Sequence, residues 1–202
     1  MKTLIFDVES IPDQNLPAEM LPEFDKGRLV NPDLIAKAKL EFEEGLIKKL
    51  SCNPMTLQIV SIQMHDHSKF VTENDGTESG MLKDFWYQAE NTDLFVGHNI
   101  LGFDLPAILI RSMILDITPT RKFNLKKYQV KPIYDTMFIL GNWKDWISLD
   151  VACTRFGIPT KTGNGSRVYE MWKAGEFDAI HQYCQDDVDI TRQLYNRMKL
   201  FY

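Results

Sequence analysis

A chain of 202 residues, 44% hydrophobic and 25% charged, can bury a sizeable core and has the balance of an ordinary globular domain. Its formal charge of −5 speaks against a protein that coats nucleic acid through bulk positive charge, and no apolar run approaches the ~20 residues of a membrane span. The three cysteines, Cys52, Cys153 and Cys184, lack CxxC spacing, which argues against a disulfide framework or zinc site and for a reducing, cytoplasmic setting; no secretory signal precedes the first strand.

In chain order, Lys2–Ser10 predicts a strand from its alternating and β-branched apolar residues. Pro12, Pro17, Pro22 and Pro32 keep the next stretch irregular, and Asn31 or Asp33 can cap a helix running to about Leu50. Residues 11–55 thus form an insertion within a single domain spanning 1–202. Leu57–Met64 alternates as a second strand. His65–Ser68 reads as a hairpin turn, in preference to a two-histidine metal site, leading into a third strand at Lys69–Thr72. A helix opens at Ser79, Leu94–Gly97 is a short buried strand, and Phe103–Ile114 is helical.

Ile117–Tyr134 contains no acid. Arg121, Lys122, Lys126, Lys127 and Lys131 interleave there with Phe123, Tyr128 and Tyr134, either a phosphate-binding strip or a loop of solvated lysines. Tyr134–Met137 begins another helix, Trp143 and Trp146 read as partly buried anchors, and Ser148 caps a helix that stops at Gly157-Ile158-Pro159. Gly163–Ser166 is a turn without P-loop spacing, and helices follow at Val168–Ala174 and from Phe177 to about Leu200. The pattern predicts an α/β fold, a mixed sheet covered by helices.

Three acidic signals stand out. Asp7 and Glu9 lie two apart on the first strand and so share a face; such a pair turns into solvent, shares a proton or binds a hard cation. Asp104 falls at a helix start, an ordinary dipole-stabilised position, with Asn99 on the same turn offering a donor and acceptor to a sugar or base edge. On the last helix Ile180, Tyr183, Cys184, Asp187, Thr191, Leu194 and Met198 form one stripe, placing Asp187 inward and Asp186 and Asp189 outward. An inward aspartate needs a partner: a cation, a tyrosine or an arginine.

Taken together, Asp-x-Glu on a strand, Asn-x-x-x-Phe-Asp near mid-chain and Tyr-x-x-x-Asp on a late helix resemble the DEDD superfamily of 3′→5′ exonucleases. The tyrosine form resembles its DEDDy group, nearest the small proteins similar to the proofreading domain of family-B DNA polymerases. Leu57–Met64 and Ile147-Ser148-Leu149 also look like that family, and the likeness runs from Leu4 to about Leu194. The sister group carries His-x-x-x-x-Asp, which His181 and Asp186 match literally. On one helix that pair is about 140° apart, whereas Tyr183 and Asp187 are about 40° apart.

The resemblance implies an RNase H-like fold with two divalent ions, Mg²⁺ or Mn²⁺, held by Asp7, Glu9, Asp104 and Asp187. It implies that Tyr183 orients the attacking water. Ser10 (through the backbone nearby), Asn99, Leu101 and Phe103 would hold the terminal nucleotide, and Lys126 and Lys127 the phosphates behind it. Expected substrates are single-stranded 3′ ends, DNA before RNA, releasing nucleoside 5′-monophosphates. The chain carries no polymerase, so a polymerase or repair partner in trans is expected, in a prokaryotic or phage-like setting, with no membrane. The rivals are an exoribonuclease or small-nucleotide phosphodiesterase of the same fold and an inactive nucleic-acid-binding module.

Overall fold

The computed structural model describes residues 1–72, 76–160 and 167–202; the Gly163–Ser166 turn lies outside them. Four strands form one sheet in the order β2-β1-β3-β4: β1 (Thr3–Pro12), β2 (Leu57–His65), β3 (Leu94–Gly97) and β4 (Ile133–Asp135). β1 pairs antiparallel with β2 and parallel with β3, which pairs parallel with β4. This mixed sheet covered by helices is the expected α/β architecture.

The side-chain alternation of β1 builds both layers. Leu4, Phe6 and Val8 enter one core with Phe85 and Trp86 of α2 (Glu78–Glu90) and Leu105 and Ile108 of α3 (Asp104–Ile114). Phe6 sits 5.2 Å from the Phe85 ring and 6.5 Å from Phe95, centroid to centroid. On the opposite face Ile5 joins Val188 and Leu194 of α7 (Phe177–Met198), while Ile11 packs with Ile180 of α7 and Val168 of α6 (Val168–Ala174). Asp7 and Glu9 therefore interrupt an apolar face between Ile5 and Ile11, under α7.

Arg111 of α3, 3% exposed, ties the far end of this core together. Its guanidinium grips both oxygens of Glu78 at 2.7 Å and Asp13 Oδ2 at 2.6 Å, and Glu78 also accepts the Ile59 N–H. One buried cation thus joins β2, α2, α3 and the exit of β1.

Several sequence expectations are corrected. Lys69–Thr72 forms no strand; His65 and Phe70 make a single bridge, because the Met64 N–H donates to the Thr72 hydroxyl rather than to a ladder carbonyl. Tyr134 and Asp135 end a strand, and the helix α4 (Thr136–Leu140) begins only after them, capped by Asp135. Of the two expected caps it is Asn31 that caps α1 (Pro32–Ser51), a helix that buries only Leu50, with Leu34 half exposed. α2 begins at Glu78 with Thr77 as cap. As expected, Ser148 caps α5 (Leu149–Phe156), and Gly157 ends it in the left-handed conformation, φ 66°. Trp146 is 71% exposed and buries little as an anchor.

Candidate active site

The site lies beyond the point where β1 parts from β3. Their pairing stops at Ile5 and Val96, and β3 ends at Gly97. A side chain at Gly97 would run into Ile100 and approach the Phe6 carbonyl, so the chain turns there against β1's backbone. This opens a crevice at the carboxyl ends of parallel strands, the usual ligand position of α/β sheets. On β1's other edge Asp7 faces Gln63 and Glu9 faces Ser61. A bulge follows at once, pairing Ser10 with Ile59 and leaving Val60 over.

α7 closes the crevice. The Cys184 thiol donates to the Asp7 carbonyl at 3.3 Å, bringing the helix directly onto β1. Tyr183 and Asp187 then face the strand acids across a cleft of about 190 Å³, lined also by Asp7, His98, Ser148, Leu149 and Asp150. One oxygen each from Asp7, Glu9 and Asp187 lies within 4.8 Å of the others, and all three residues are half-buried. Three carboxylates so close repel one another strongly unless a cation or protons intervene, and an all-oxygen set suits hard divalent ions.

Asp104, the first residue of α3, is 2% exposed and stands apart from that triplet. Its Oδ1 is buried and has no hydrogen-bond partner among the described residues. Burial first, then the charge of Asp7, holds its pKa well above the usual carboxylate range. A buried carboxylate oxygen with no partner among the described residues, charge-coupled to Asp7, is what a bound cation would satisfy, so the donor set fits the divalent metals expected.

Burial, followed by Asp187, Glu9, Asp7 and Asp150, pushes the Tyr183 phenol far above its ordinary value. It is therefore a hydrogen-bond donor at every physiological pH and not a base. The thiol of Cys184 is raised in the same way, by burial and by Asp7 and Glu9, and stays protonated. Burial drives His98 down to about 4, so its ring is neutral at pH 7. Its Nε2–H donates to the Ile147 carbonyl at 2.8 Å, and Nδ1 lies 2.9 Å from Thr136 Oγ1, whose hydroxyl also reaches the Gly97 carbonyl at 3.1 Å. That ring fastens the loop before α5 to the start of α4.

Asp135 shapes the other wall. Fully buried, it accepts four backbone N–H groups: Asn99 at 3.0 Å, Leu101 at 2.9 Å, Met137 at 3.1 Å and Phe138 at 3.2 Å. It thereby fixes the turn at Asn99 (φ 68°) that delivers Asp104. On that turn the Asn99 side chain lies against Gly102, while half-buried Leu101 and Phe103 pack on the α2–α3 core.

Other expected site residues lie elsewhere. The Ser10 hydroxyl is engaged by the Ser51 carbonyl of α1 at 2.7 Å. Lys126 and Lys127 are exposed and do not line the cleft. Arg121 leaves the basic strip altogether: it donates to the Thr92 and Ala89 carbonyls and stacks over Phe95 and Phe123. His181 Nδ1 faces Ser61 Oγ at 2.9 Å beside a different hollow, and Asp186 accepts from Gln182, so that pair does not join the acid cluster. His98, Asp135 and Asp150 carry no site role in the sequence reading. His98 adjoins the Asn99 motif, which is a usable signal; Asp135 offers none.

A model of the family described as "Predicted 3'-5' exonuclease related to the exonuclease domain of PolB" matches residues 47–202. The chain belongs to this exonuclease family. Asp104, Tyr183 and Asp187 fall within the matched stretch, and Asp7 and Glu9 precede it. Among solved structures, the chain is similar to the family B DNA polymerase from the hyperthermophilic archaeon Pyrobaculum calidifontis, with a TM-score of 0.63 and 18% identity. The match covers 98% of this chain and 24% of the polymerase, so the exonuclease-family chain spans about a quarter of that protein. The likeness is one of fold and agrees with an RNase H-like architecture. No curated protein matches the chain.

Proposed function

We propose that this chain is a divalent-metal-dependent 3′→5′ exonuclease that removes nucleoside 5′-monophosphates from single-stranded DNA. The observation that carries the reading is the convergence of Asp7, Glu9 and Asp187 within 4.8 Å, beside the Tyr183 phenol, with Asp104 buried and charge-coupled to Asp7. Two Mg²⁺ or Mn²⁺ ions held by these four acids would activate a water and stabilise the leaving 3′-oxygen. The protein's own part is positional. Tyr183 donates its O–H toward the cleft and orients a water without accepting its proton. Asp104, buried at the start of α3 and charge-coupled to Asp7, adds a fourth carboxylate to the strand pair and Asp187. The Asn99 turn and Leu101 and Phe103 flank the position of the terminal nucleotide.

An exonuclease must reach the 3′-terminal phosphodiester, which a base-paired end exposes only on fraying, and this favours single strands; a polymerase or repair factor acting in trans would meet the enzyme at such ends. The test is Mg²⁺- or Mn²⁺-dependent release of mononucleotides from 5′-labelled single-stranded DNA, abolished in Asp7→Ala. RNA or a dinucleotide consumed far faster than DNA overturns the substrate assignment. Absence of hydrolysis with any divalent ion makes the chain a binding module.

A further inference from the structure

The stretch between β3 and α5 carries an exposed aromatic group that the acid cleft does not use. Tyr128, 72% exposed, meets Trp143 at 5.3 Å, and Trp143 stacks on Phe138 at 5.5 Å and 10°. Trp146 follows, 71% exposed. Tyr128 and Trp143 both adopt positive φ, 66° and 62°, a conformation that bulky residues avoid unless their surroundings hold them there. Large aromatics presented to solvent on constrained backbone are costly in isolation and mark binding surfaces.

Charge and continuity identify the occupant. Lys126, Lys127 and Lys131 flank Tyr128, Lys144 follows Trp143, and Asp145 is the only exposed acid between Ile117 and Leu149. The aromatic loop runs straight into the cleft: Ile147 O is held by His98, and Ser148 lines the acid site. Trp143 and Ser148 are five residues apart, at most about 18 Å of extended chain, a span of a few nucleotides. Exposed rings interleaved with cations are the arrangement that stacks unpaired bases and screens their phosphates.

Resting on the exonuclease reading, we propose that Tyr128, Trp143 and Trp146, with Lys126, Lys127 and Lys131, form a stacking track for the bases upstream of the 3′ end entering the cleft. The track gives the enzyme its preference for longer single strands.

Two readouts test this. The first is anisotropy of a 5′-labelled oligothymidylate of about a dozen nucleotides in EDTA, where hydrolysis is absent; stacking of one base is worth roughly 5- to 160-fold in affinity. Tyr128→Ala and Trp143→Ala should each weaken binding by an amount in that range, and Trp143→Phe should restore it. Because Trp143 packs on Phe138 and its alanine variant can unfold, the exposed Tyr128 supplies the decisive variant. Lys126→Gln with Lys127→Gln should lower the slope of log affinity against log salt by about 1.4. The second readout is the ratio of kcat/KM for that oligomer over a thymidine dinucleotide, which should shrink in Tyr128→Ala.

Unchanged affinity and unchanged salt slope overturn the track. Absence of hydrolysis in the wild type, with binding still sensitive to Tyr128, overturns the exonuclease reading and leaves the track standing.

Discussion

Asp135→Asn separates the loop that delivers Asp104 from the acids themselves. Asp135 Oδ1 accepts the Asn99, Met137 and Phe138 N–H groups, and Oδ2 accepts Leu101 N–H at 2.9 Å. An asparagine keeps the first oxygen and turns an NH₂ toward the Leu101 donor. One buried N–H is then left unsatisfied, costing about 1–3 kcal/mol. For a chain of this size that lowers the melting temperature by roughly 2–12 °C. Relief comes by moving the Asn99–Asp104 turn, and a displacement near 1 Å at a reacting centre costs about 100-fold in rate. Differential scanning fluorimetry and single-turnover hydrolysis of labelled single-stranded DNA read the two effects. A variant with unaltered melting temperature and unaltered turnover shows that the four bonds do not position the site.

Asp187→Asn should remove turnover by more than the roughly 10–100-fold that outer-shell changes at metal sites cost, while Asp186→Asn stays near wild type; the reverse order in a hydrolysis assay rejects the helix face assigned here. Tyr183→Phe should lower kcat about tenfold, the size of one lost hydrogen bond, with little change in KM, and equal loss in both argues against a role at the water. In the metal-free protein, the raised pKa of Asp104 means the folded state keeps a proton that the unfolded chain releases near pH 4. That stabilisation is complete below pH ~4 and is lost as pH rises through the folded value. The melting temperature in EDTA should therefore fall toward alkaline pH, and the gain on adding Mn²⁺ should grow with pH as the proton is displaced; a gain independent of pH and unaffected by Asp104→Asn refutes the ligand assignment. Arg111→Met should cost about 3–5 kcal/mol by leaving Glu78 and Asp13 buried without their cation, and a loss under about 1 kcal/mol shows that water reaches them.

The sequence made the acids legible and their support illegible, for a physical reason. Asp7 and Glu9 are read from a period of two and Asp187 from a period of 3.6; both are local, and both survive folding because each element buries one apolar face. β4 has three residues and exists because β3 offers it an edge, so Tyr134-Asp135-Thr136 has no strand pattern of its own and reads as a helix start. Asp135 then looks like an N-cap. It is one, its Oδ1 accepting the Met137 and Phe138 N–H groups, but the same carboxylate also accepts from Asn99 and Leu101, some 34–36 positions earlier. Nothing local announces that second use.

The same distinction explains why a list of acids is not yet a site. Asp7 and Cys184 are 177 positions apart, and the distance between their elements is set by a side chain small enough to let α7 rest on the β1 carbonyl at 3.3 Å. A larger residue at 184 would lift the helix and carry Asp187 away from the strand pair. Charge alone would drive these carboxylates apart, so the sheet and helix must hold them together before a cation can reward the arrangement. The burial of Ile5, Ile11, Ile180, Val188 and Leu194 around the acids supplies that hold. The cluster's affinity for metal is thus stored in the apolar contacts that flank it, and weakening those contacts weakens metal binding without touching a ligand.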